Sequence, residues 1–123
     1  NSINGLFKKY KIQNLLIMGL TFKENCPDIR NSGVQNVIAK LKDFECNLDL
    51  LDPYVDREDI KKTYNIYPNP KPSHHHYDAV LIAVAHNDFK TKGLKNIKNL
   101  CKKNHVIFDL KNLFNSDQVD FKL

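Results

Sequence analysis

Short, unbroken apolar runs, separated by stretches whose apolar residues recur every three or four positions, leave few architectures open to this chain. Leu15-Leu16-Ile17-Met18-Gly19-Leu20 carries no polar side chain to turn toward water, as a strand covered on both faces requires. From Gly33 the period changes: Val34, Val37, Ile38 and Leu41 share one helical face, while Gln35, Asn36, Lys40 and Lys42 point away from it. Asn31 or Ser32 can cap this helix by accepting from a free backbone N–H. Residues 47–51 form a second strand, stopped at Asp52-Pro53 because proline lacks an N–H and biases the residue before it against helix.

Residues 57–64 read as a short helix, Ile66-Tyr67 as a brief edge strand, and Pro68-Asn69-Pro70-Lys71-Pro72 as a linker without regular structure. Residues 78–84 are the clearest strand. Leu94, Ile97, Leu100 and Cys101 make an amphipathic helical face, and Val106-Ile107-Phe108 is the last strand. The order β-α-β-α-β-β-α-β, with one helix missing or reduced near residues 87–91, predicts an α/β fold. Right-handed crossovers make it a Rossmann-like doubly wound parallel sheet, strand order near 3-2-1-4-5, with helices on both faces. Ligands of such sheets bind beyond the carboxyl ends of the strands, where the loops after Leu20, Val84 and Phe108 should meet.

A length of 123 residues fits one domain. Residues 1–13 are read as a linker or the end of a preceding helix, and residues 14–123 as the domain. The chain starts at Asn1, which suggests a piece of something longer. At 41% hydrophobic and 27% charged, its composition is that of a soluble globular domain. No apolar run approaches the ~20 residues that span a bilayer, and no secretory signal is visible; a cytoplasmic domain with no membrane partner is expected. Cys26, Cys46 and Cys101 are an odd set at wide spacing, which predicts reduced thiols. The net charge of +5 is spread among acids along the chain, and no nucleic-acid-binding motif appears, so no nucleic acid is expected as partner.

The loop from Gly19 to Ser32 is the segment richest in chemistry. A dinucleotide fingerprint needs three closely spaced glycines, and here only Gly19 is present in a longer turn, which argues against NAD in the usual crevice. Phe22, Lys23 and Arg30 instead suit an aromatic base and phosphate oxygens, lysine as a point charge and arginine as a fork. On residue type alone, Phe22 in the core and two solvated cations is an equal reading.

Gly19-Leu20-Thr21-Phe22-Lys23-Glu24-Asn25-Cys26-Pro27-Asp28-Ile29-Arg30-Asn31-Ser32 resembles the opening of the UDP-binding domain of the UDP-glucose/GDP-mannose dehydrogenase family. The likeness continues in order through Asp52-Pro53-Tyr54-Val55-Asp56, through the strand ending Val84-Ala85-His86, and to Phe108-Asp109-Leu110-Lys111. Its details are most similar to bacterial UDP-N-acetylhexosamine 6-dehydrogenases of surface polysaccharide synthesis, such as capsule or O-antigen. The resemblance implies an enzyme with an N-terminal domain that binds most of the NAD, a central domain that forms a homodimer, and this C-terminal domain closing on a UDP-sugar. Such enzymes oxidise the sugar C6 alcohol to a carboxylate through a thiol ester on a cysteine, using two NAD. Carried over, Phe22, Lys23 and Lys111 bind substrate and Arg30 reaches the NAD pyrophosphate. Leu110 and Asn112 stand where relatives commonly have glycine, which leaves the shape of the Lys111 loop open.

No catalytic residue and no metal ligand is assigned to this chain. The family nucleophile belongs to a preceding part, so Cys26 is read as a bystander despite its charged neighbours. Three successive histidines, His74-His75-His76, cannot all face one ion in regular structure and are read as solvated loop. Asp52 is read as accepting backbone hydrogen bonds before Pro53, and His86 as a histidine satisfied at the sheet end, with contact to ligand or another domain as the alternative. Two rival readings are a stand-alone nucleotide-binding or regulatory module without catalysis and a small NAD-dependent enzyme in its own right.

Overall fold

The computed structural model describes residues 9, 11–21, 23–29, 33–42, 46–114 and 119–122, the backbone alone for 121 and 122. Five parallel strands form the sheet: β1 Asn14–Met18, β2 Asn47–Leu51, β3 Tyr77–Ile82, β4 Cys101–Asp109 and β5 Phe121–Lys122, in the order β2-β1-β3-β4-β5. The helices are α1 Val34–Leu41, α2 Arg57–Tyr64, α3 Asn87–Lys92 and α4 Leu94–Lys98. This is the expected α/β doubly wound sheet with β1 and β3 adjacent, but its order is 2-1-3-4-5 rather than 3-2-1-4-5, because the edge strand expected outside β2 does not form.

Side chains alternate across the sheet, and the alternation sorts the core into two layers. Leu15, Ile17, Leu50, Ala79, Leu81, Val106 and Phe108 face one way, against Val34, Ile38 and Leu41 of α1 and Ile60 and Tyr64 of α2. Leu16, Met18, Val80, Ile82 and Ile107 face the other, against Phe89 of α3, Ile97 of α4 and Leu100. Each fully buried aliphatic side chain contributes ~1.5–3 kcal/mol, so a run buried on both faces stabilises twice as many contacts as an amphipathic strand. Asp78 fastens the opposite end: its Oδ2 accepts from the N–H groups of Gln13 and Asn14, and its Oδ1 lies 3.1 Å from Lys102 Nζ.

Two expected elements need correction. Ile66-Tyr67 forms no strand; Pro68 and Pro70 interrupt the donors there, and the segment is tied to the sheet by the Asn69 N–H donating to Leu50 O at 2.8 Å. The sheet is instead extended at its opposite edge, beside β4, by β5, two residues with no apolar run to announce them. The helix read as missing or reduced near residues 87–91 is reduced, to the six residues of α3. Cys101 does not close a helical face: it opens β4, after Leu100 O accepts the N–H groups of both His76 and Tyr77. The cap proposed at Asn31 or Ser32 lies outside the described residues; α1 begins after Gly33 without a side-chain cap bond.

Candidate functional site

β1 ends at Met18 because Gly19 turns the chain at φ +100°, a conformation few L side chains adopt. A Cβ on Gly19 would lie 2.6 Å from Val84 Cβ and 2.8 Å from Val84 N, so the loops after β1 and β3 touch backbone to side chain there.

A buried carboxylate holds the loops together. Asp52 lies at the carboxyl end of β2, 5% exposed, and its Oδ2 accepts from the Leu20 N–H at 2.7 Å while Oδ1 accepts from the Tyr54 N–H at 2.9 Å. His86, fully buried beyond β3, places Nε2 2.9 Å from Asp52 Oδ2, and its Nδ1 accepts the Asn25 N–H at 2.8 Å. An acceptor at Nδ1 carries no proton, so the hydrogen-bond pattern assigns the ring proton to Nε2, which donates to Asp52. Thr21 Oγ1 lies 3.3 Å from the same Nε2 and donates its own proton to Lys23 O at 2.7 Å. The contacts run unbroken from Asp52 through His86 and Thr21 to the backbone of Lys23.

The outer layer continues the clamp. The Tyr54 ring lies 4.6 Å from that of His86, and the Tyr54 hydroxyl donates to Asp88 Oδ1 at 2.8 Å. That bond, partial desolvation and the Asp88 and Asp52 charges push the Tyr54 phenol above its ordinary value. Asn25, at φ 58°, accepts the Asn87 N–H on its side-chain oxygen at 2.8 Å, so the first loop also covers the start of α3. Lys23 itself is exposed.

Lys111 is exposed in the loop after β4. Buried Asp109 shapes that loop by accepting the N–H groups of Leu113 and Phe114 at 3.0 and 2.9 Å, and Asn112 takes a left-handed turn at φ 55°, which asparagine tolerates better than most residues. Lys23 and Lys111 thus stand at the same end of the sheet, on loops that follow β1 and β4, the two strands flanking β3. Strand spacing separates those strand ends by ~10 Å. Phe22 and Arg30 lie outside the described residues.

Asp52 accepts backbone hydrogen bonds as its position before Pro53 suggested, and His86 is satisfied by protein partners. What the sequence reading missed is that they bond each other, and that the turn after β2 joins the three loops expected at the switch point. The signal was an acid and a histidine, each ending a strand. A hollow of about 430 Å³ opens beside β2 among Pro53, Val55, Arg57, Pro68 and Pro70. Its Arg57 guanidinium lies over the Tyr67 ring, 4.6 Å from the centroid. Cys26 is half-buried in the first loop, and burial pushes the Cys46 and Cys101 thiols up. His74, His75 and His76 are exposed.

The profile of the UDP-glucose/GDP-mannose dehydrogenase family, UDP binding domain, matches residues 16–116. The chain is 46% identical over 109 residues to a UDP-N-acetyl-D-glucosamine 6-dehydrogenase of Pseudomonas aeruginosa, covering 89% of the chain and 26% of that protein. It is 42% identical over 110 residues to the protein of the same description in Salmonella typhi, covering 89% and 26%. It spans about a quarter of the length of these curated relatives. The UDP-N-acetyl-mannosamine dehydrogenase Cap5O of Staphylococcus aureus superposes with a TM-score of 0.73 at 23% identity, over 98% of this chain and 28% of that one, a likeness of fold.

Proposed function

From a chain that belongs to the UDP-glucose/GDP-mannose dehydrogenase family, as its UDP-binding domain, we infer a role as the substrate-closing part of an NAD-dependent UDP-sugar 6-dehydrogenase, which oxidises the sugar C6 alcohol to a carboxylate. The observation that carries this reading is the pair of exposed lysines, Lys23 and Lys111, on loops held by buried carboxylates at one end of the sheet. Each ammonium offers up to three donors to diphosphate oxygens, and Phe22 supplies a ring beside Lys23 in sequence. NAD is placed on parts of the enzyme outside this chain, with Arg30 as the contact from this side. The further domains, a homodimer, a cytoplasmic setting and a UDP-uronic acid product for polysaccharide synthesis belong to the same proposal. Among the described residues no helix is long and apolar enough to cross a membrane.

The chemistry then divides by location. Contacts to the nonreacting UDP moiety fix the sugar at a nucleophile on another domain, and such remote binding lowers a barrier by removing orientational freedom from the reacting step. Calorimetric titration of the chain with UDP tests the binding half. Lys23→Ala and Lys111→Ala are each expected to weaken binding ~10-fold, the worth of ~1.4 kcal/mol; UDP affinity untouched by both would overturn the assignment. NADH formation by the full-length enzyme with UDP-glucose, UDP-N-acetylglucosamine, UDP-N-acetylgalactosamine, UDP-N-acetylmannosamine and GDP-mannose identifies the sugar.

A further inference from the structure

We propose that His86 is the positioning residue of the nucleotide site: its ring, oriented by Asp52, fixes the loop that presents Lys23 before any ligand arrives. This rests on the nucleotide-binding reading above and goes beyond it, because His86 is wholly buried and lies under the exposed loop that carries Lys23.

The geometry gives the ring two distinct duties. Nε2–H donates to Asp52 Oδ2 at 2.9 Å, and Asp52 Oδ2 also takes the Leu20 N–H, so the ring's plane and the loop's first residue are set by one oxygen. Nδ1 accepts the Asn25 N–H at 2.8 Å, which pins the loop beyond Lys23. Between those anchors Thr21, 2% exposed and 3.3 Å from Nε2, holds Lys23 O. Lys23 is therefore bracketed on both sides by bonds that converge on one imidazole. The ring is packed in place by Tyr54 at 4.6 Å and Phe89 at 5.3 Å, centroid to centroid. A flexible lysine on a fixed backbone loses less freedom on gripping a diphosphate than one on a mobile loop, and that difference appears as affinity.

The experiment combines two measurements on the chain: amide hydrogen exchange without ligand, and UDP affinity in a double-mutant cycle of His86→Ala and Lys23→Ala. Exchange at the Asn25 amide is expected to accelerate ~10-fold or more over the change seen at Leu16 and Val80 in the sheet. UDP binding should weaken ~10-fold in His86→Ala, yet by less than ~3-fold when the substitution is made in Lys23→Ala, because the two act through the same contact. His86→Asn, which keeps an acceptor near the place of Nδ1, should recover part of the lost affinity and serves if His86→Ala does not fold. Unaltered Asn25 exchange, or losses that multiply fully in the double variant, would overturn the positioning role while leaving Lys23 as a UDP ligand. A Lys23→Ala chain that binds UDP as tightly as the parent would instead sink the nucleotide reading, whatever the exchange shows, and the role of His86 with it.

Discussion

Asp52 is the residue on which the ligand end of the sheet depends. Its carboxylate serves the Leu20 N–H, the Tyr54 N–H and the His86 ring at once, and leaving buried donors unpaired costs about 1–3 kcal/mol each. Asp52→Ala should lower stability by on the order of 3 kcal/mol or more, read as a shifted urea midpoint with little change in slope. Gly19 is irreplaceable for a different reason. Gly19→Ala combines an unfavourable φ of +100° with a Cβ 2.6 Å from Val84 Cβ and should cost roughly 3 kcal/mol. Gly93→Ala, at φ +82° with open space around it, carries the strain alone, so the difference between the two melts isolates the clash. At this scale the sequence disclosed Asp52 through its proline, as an acceptor of backbone N–H groups. It did not disclose the Asp52–His86 bond, because the partners follow separate strands and only the parallel arrangement of β2, β1 and β3 brings the segments beyond them together.

Among the elements, α2 best shows local chemistry setting a boundary. Asp56 caps it by accepting the Glu58 N–H at 3.0 Å, Glu58 and Asp59 sit in the first turn, and Asn65 ends it at φ 59°. Asp56→Ala is expected to cost about 1 kcal/mol by chemical denaturation. The start of β1 depends on Asp78: burial opposes its ionisation, but the Asn14 N–H, the Lys102 ammonium and the Gln13 N–H outweigh that and hold the carboxyl below its ordinary 3.8. A depressed carboxyl stabilises above its unfolded value and ceases to as pH falls through the folded one. Stability should therefore drop as pH is lowered below about 4, and more steeply in the parent than in Asp78→Asn. Strands and helices with a full apolar period were legible from the sequence, boundaries included for α2. β5 was not, since two residues carry no period, and the start of β4 was hidden because Leu100 and Cys101 continue the helical spacing of α4 by coincidence.

Across the whole molecule, both faces of the sheet bury groups that resist ionisation, Tyr64 on one and Tyr77 and Cys101 on the other. Burial first and the Asp52 charge second push the Tyr64 phenol up to about 12, in the layer under α1 and α2; its hydroxyl has no partner among the described residues. Burial, then the Asp120 and Asp78 charges, push the Cys101 thiol up to about 12 in the opposite layer. Raised values mean that stability is complete below the unfolded thiol's 9.0 and phenol's 10.0 and is lost as pH climbs toward 12. Urea midpoints should hold steady from pH 7 to 8.5 and decline by pH 10.5, less so in Cys101→Ala. Fold class was readable at this scale because burial on both faces writes itself into strand composition; the assembly of the ligand end was not, because it is built from single polar atoms. Leu15, Leu16, Ile17, Met18 and Leu20 have no exposed surface, and Gly19 is sealed against Val84. On the proposed site, a nucleotide resting on this end never meets the strands. The residues that would tell one cargo from another then lie on segments 23–29 and 110–114, carried by a platform whose own side chains are turned to folding.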